Sequence, residues 1–81
     1  MKKEDLKVGD IVLANHGRAY CVTCTDTFGS FDKNYISVLN EHGMTRSIHV
    51  DAINSVIEHV DYIDLILERL KTKNSWWIHS A

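Results

Sequence analysis

Residues 44–57, Met-Thr-Arg-Ser-Ile-His-Val-Asp-Ala-Ile-Asn-Ser-Val-Ile, constrain this chain more than any other stretch. A strand pattern runs to His49, with Met44, Arg46 and Ile48 on one side. A tight helical turn through 50–53 follows, and a second short strand pattern resumes at Ser55. A strand must therefore leave a sheet, turn once, and return as the next strand. That demand sets the order of everything upstream.

Upstream, Gly9-Asp10 marks a turn and Ile11-Val12-Leu13-Ala14 is a β-rich run. Asn15-His16-Gly17-Arg18 is a compact turn in which Gly17 is free to take a positive φ. Residues 19–25 read as a second strand, with Tyr20, Val22 and Cys24 on one face and Ala19, Cys21 and Thr23 on the other. In the third strand, 35–39, Ile36 and Val38 alternate against Tyr35, Ser37 and Leu39. Asn40-Glu41-His42-Gly43 is a hairpin turn. The chain has no proline, so every turn relies on Gly, Asn and Asp.

One helix is expected, over about 60–73. Asp61 is its N-cap candidate, Val60 and Leu65 form a hydrophobic staple, and Asp64 faces the positive end of the dipole. Tyr62, Ile63, Ile66, Leu67 and Leu70 recur at three- and four-residue spacing as an apolar face, with Asn74 as the stop. An aromatic tail occupies 74–81.

Leu6-Lys7-Val8-Gly9-Asp10-Ile11-Val12 and Gly17-Arg18-Ala19-Tyr20-Cys21-Val22 resemble the opening of SH3-like small barrels, a V-G-D-x-V strand followed by a G-x-x-Y-x-V strand. Ile48-His49-Val50-Asp51-Ala52-Ile53 resembles the helical turn before their last strand. The resemblance spans about residues 6–57 and implies a fold and no activity. The acidic and aromatic motifs of the groove that takes proline-rich peptides in signalling SH3 domains are not recognisable in this chain. The expected fold is thus mainly β with one C-terminal helix: a five-stranded SH3-like antiparallel barrel at about 6–58, then the helix, in a single domain over 1–81.

Charge narrows the function classes. The 81 residues carry a formal net charge of −2, and neither half of the chain is basic. A nucleic-acid binder draws most of its affinity from Lys/Arg contacts to phosphate, so that class needs a patch assembled by folding. No apolar run approaches the roughly 18–20 residues a membrane helix needs. The charged N-terminus is followed by no apolar signal core, so no membrane association and a cytoplasmic location are expected.

The chemical motifs are sparse. Cys21-Val22-Thr23-Cys24 is a C-x-x-C, the spacing of a zinc half-site or a redox pair. Zinc needs two more ligands, and no second close pair stands near it in sequence. A redox pair needs a helix N-terminus, whereas this one sits in a strand, where residues three apart face opposite ways. The reading is two small core residues, with no metal and no cofactor. His16, His42, His49, His59 and His79 have no serine or carboxylate beside them in a triad pattern, so no catalytic residue is named. Asp26, Asp32, Glu41 and Asp51 lack paired-carboxylate or calcium-loop spacing.

The remaining lead is aromatic. Phe28 and Phe31 sit inside the long connection 26–34, and Trp76, Trp77 and Ile78 end a chain whose core is already supplied. Exposed aromatic clusters on small domains mark protein interfaces. These five residues are the candidate contacts for a protein partner, with a second copy docking through helix 60–73 and the tail as a variant. The expected function is a non-catalytic protein-binding module, of the kind phages and mobile elements use to inhibit or modulate a host protein. The alternative is a nucleic-acid-binding small barrel with a regulatory role, contacting its ligand through Arg18, Lys33 and Arg46.

Overall fold

The structure is a computed structural model; it describes residues 2–25 and 34–80, and for residues 63 and 75–80 the backbone only. A short 3-10 turn, Lys3–Asp5, leads into five strands: β1 (Asp10–Ala14), β2 (Ala19–Cys24), β3 (Tyr35–Leu39), β4 (Thr45–His49) and β5 (Ile53–His59). A 3-10 turn at Val50–Ala52 separates β4 from β5, and the helix α1 (Ile63–Ser80) closes the chain. The expected class, mainly antiparallel β with one C-terminal helix, is the one observed.

The sheet has the order β4-β3-β2-β1-β5. All neighbours are antiparallel, and β5 reaches β1 across the 3-10 turn anticipated from residues 44–57. The cap of that turn is His49, whose Nδ1 accepts from the Asp51 N–H at 3.0 Å. β4 and β5 remain edge strands, so the sheet curves round its contents without closing. β5 is longer than the expected 55–57 because its pairing with β1 extends from Ile53 opposite Ala14 to His59 opposite Asp10.

Two apolar clusters lie on opposite sides of the sheet. One face buries Leu6, Val12, Val22, Ile36, Val38, Val50 and Ile53, with Tyr20 and Ile48 packed against them. The other face carries Ile11, Ala19 and Cys21, which meet Val60, Ile66 and Leu70. β1 and β2 are covered on both faces. That is why Ile11-Val12-Leu13-Ala14 reads as a continuous apolar run where a half-exposed strand would alternate.

Helix α1 departs from expectation in three ways. Asp61 lies outside the helix, and its carboxylate takes the His59 ring instead of capping. The buried stripe is narrow: Ile66 and Leu70 are buried, while Tyr62, Leu65 and Leu67 are exposed. Asn74 is also no stop, since α1 continues to Ser80. Asn terminates helices when its side chain competes for nearby backbone. Here that side chain is buried and engaged elsewhere, donating to the Ala19 C=O at 3.1 Å and accepting from its N–H at 2.7 Å. Ala19 needs that partner because β3 turns away after Leu39, which pairs with Cys21. Among the described residues no helix is long and apolar enough to cross a membrane.

Candidate functional site

Two turns build a polar cleft at one end of the sheet. In the first, Gly17 takes φ +94°, its N–H bonds the Ala14 carbonyl at 2.9 Å, and Ala14 N–H bonds the Arg18 carbonyl at 2.8 Å. This fixes Arg18 at the start of β2. In the second, the Asn40 side-chain oxygen accepts from the His42 and Met44 N–H groups, both at 2.9 Å, an Asx-type turn that Gly43 completes at φ +79°. The Arg18 guanidinium then reaches Glu41 at 2.7 Å and ties the two turns together. Beside them, Tyr20, Arg46 and Ile48 line a cleft of about 330 Å³ that also takes in His42. Arg46 stands opposite Val38 in the β3–β4 ladder, which places it at the mouth of the curved face.

A second cluster joins β1, β5 and the approach to α1. His59 pairs directly across from Asp10. Its Nδ1 lies 2.7 Å from the Asp10 carboxylate and its Nε2 2.8 Å from that of Asp61. Asp10 is buried and also accepts from the Lys7 N–H at 2.9 Å. With a carboxylate at each ring nitrogen, both nitrogens serve as donors, and the imidazolium form is favoured. The His59 pKa is raised, first by the Asp10 hydrogen bond and then by that of Asp61. A ring held this way has no lone pair for base catalysis or for a metal. Nearby, burial pushes the Cys21 thiol up to about 11, with the Asp10 charge adding to it and a Gly9 backbone hydrogen bond partly offsetting it. A thiol so protonated is a poor nucleophile.

The C-x-x-C geometry also differs from expectation. The β2–β3 register shifts between Val22 and Cys24, so Cys24 comes opposite Ser37 while Cys21 stands opposite Leu39. Ser37 and Leu39 share a side of β3, so the bulge returns Cys24 to the side of Cys21 instead of the opposite one. Neither cysteine is in a disulfide, and among the described residues no three His, Cys, Asp or Glu side chains converge as a metal site would require.

Exposed apolar side chains flank α1. Tyr62 and Leu65 line a shallow cleft together with Glu58, His59, Asp61 and Arg69. On the other flank Leu67 lies against the β3–β4 turn, its methyl carbons 4.0 Å from where a Cβ on Gly43 would stand, and Met44 is exposed beside that turn.

The residues singled out from sequence divide accordingly. Phe28, Phe31 and Lys33 lie outside the described residues, as do the side chains of Trp76, Trp77 and Ile78, whose backbone is helical. Arg18 and Arg46, 28 positions apart in sequence, line one cleft. Sequence reasoning missed Tyr20 and His42 as their neighbours, and missed the Asp10–His59 pair, which only register creates. Asn74 had a readable signal: it continues the four-residue spacing of Ile66 and Leu70 and so belongs to the face turned to the sheet. No family model matches this chain, and neither does any curated protein or solved structure.

Proposed function

We propose that this protein is a non-catalytic protein-binding module that works by occupying a partner's surface. The observation that carries the reading is the Tyr62 side chain, 72% exposed beside the exposed Leu65, with charged Glu58, Asp61 and Arg69 around them. An aromatic anchor and an aliphatic neighbour inside a polar rim is the anatomy of a protein interface. Tyr and Arg are also the residue types that dominate binding hot spots. The committed ring nitrogens of His59 and the protonated Cys21 thiol support a module without chemistry of its own. Phe28, Phe31, Trp76, Trp77 and Ile78 stay within the proposal as further contacts. So does the narrower role of a cytoplasmic phage or mobile-element accessory protein acting on a host factor.

The test is a Tyr62→Ala/Leu65→Ala double variant. Both side chains are exposed, so circular dichroism and the urea midpoint should match wild type. Used as bait in cell extract, wild type should retain a stoichiometric partner. The double variant should lose it, with affinity down by about 30-fold or more for a hot-spot pair. Equal retention by a folded double variant refutes the assignment of this surface. Light scattering on the purified chain reports whether the partner is a second copy.

A further inference from the structure

We propose that the cleft between the β1–β2 and β3–β4 turns binds a nucleotide phosphate, with Arg46 as its principal anion contact. The cleft lies at the opposite end of the sheet from the Tyr62 surface and is independent of it. The whole chain carries a net charge of −2. Among the described residues that line it, however, the cleft sets two guanidiniums, Arg18 and Arg46, against one carboxylate, Glu41. That carboxylate is already held by Arg18 at 2.7 Å, which leaves the charge of Arg46 unmatched.

Among the described residues, no hydrogen bond or ion pair engages the Arg46 guanidinium or the His42 ring. Both are exposed, so both stand ready to donate to an incoming anion. The Arg fork matches the geometry of two phosphate oxygens, and imidazole supplies a further donor. The floor has a different character. Tyr20 and Ile48 are half-buried and packed against the inner core, which gives an apolar bed for a planar ring. Cation and donor at the rim, aromatic and aliphatic surface beneath, and a volume of about 330 Å³ suit a single nucleotide unit. An inorganic anion would use the rim and leave the floor empty. The nucleotide has two sources: a free mononucleotide, or one residue of a single strand passing over the cleft.

The experiment is a heteronuclear NMR titration of the full chain at low salt, first with adenosine monophosphate and then with an oligothymidylate of about ten nucleotides. Either probe should shift the backbone signals of His42, Arg46, Ser47 and Ile48 and the Arg46 Nε–H. Arg46→Gln should weaken binding about tenfold while the remaining spectrum keeps its dispersion, because Arg46 is exposed. Lys2→Gln, at a residue that does not line the cleft, should bind as wild type does. Tighter, steeply salt-dependent binding of the oligonucleotide assigns the site to a strand. Equal or tighter binding of the monophosphate assigns it to a free nucleotide. If neither probe shifts these signals at millimolar concentration, or the shifts fall elsewhere, or a folded Arg46→Gln binds unchanged, the proposal is overturned.

Discussion

Asn74 offers the sharpest test of how this molecule is held together. It is 2% exposed, and its amide satisfies both backbone groups of Ala19. Ala19 stands opposite Leu13 in β1, while on its other side β3 has already turned away. The carboxamide thus does the work of a missing strand residue. Asn74→Ala removes one donor and one acceptor at once. Leaving a buried N–H and a buried C=O unpaired costs about 1–3 kcal/mol each, and the better helix propensity of Ala returns roughly 0.5 kcal/mol. Asn74 borders the polar cleft, so water entry favours the lower half of that range. The expected net loss is about 1.5–3.5 kcal/mol, measured by urea unfolding followed by circular dichroism. For a domain of this size that is a fall in Tm of roughly 6–28 °C. Amide hydrogen exchange gives a local reading, since Ala19 should lose protection well beyond the global change. A loss under about 0.5 kcal/mol with Ala19 still protected would refute the reasoning, because another group would then be satisfying β2.

Two further outcomes follow from the β1–β5 end. Gly9 takes φ +98°, and a Cβ there would stand 2.6 Å from the Val60 carbonyl oxygen. Gly9→Ala should therefore cost about 2–4 kcal/mol from left-handed strain plus a backbone clash, read from the urea midpoint. The His59 pKa is raised, chiefly by Asp10 and then Asp61, so its contribution to stability is complete below its ordinary value of about 6.5 and is lost as pH rises through the folded value. The wild-type urea midpoint should fall with pH over that window relative to His59→Gln, which lacks the titration. Parallel pH curves for the two proteins would contradict the double carboxylate clamp.

Local pattern determined a good deal of this protein. Period-two alternation placed β2, β3 and β4 within a residue or two, because side chains in a pleated strand face alternate sides whatever they pack against. The strand–turn–strand reading of 44–57 anticipated the 3-10 turn at Val50–Ala52. The three-to-four-residue spacing found the helix, although its apolar face was drawn too wide. Spacing counts apolar residues and cannot know how much sheet is available to cover them. Tertiary structure alone decided the rest. Whether Asn74 ends a helix or completes a strand depends on where β3 turns away from β2. Pairing of β5 with β1 made His59 and Asp10 neighbours across a separation of 49 residues. One bulge at Thr23 changed which side Cys24 faces. Two arginines came to line one cleft because two turns lie side by side, tied by the Arg18–Glu41 ion pair. Periodicity is a property of adjacent residues and is written along the chain. Register, bulges and the meeting of distant turns are settled by the packing of the whole, so the chemistry they create has no local signature.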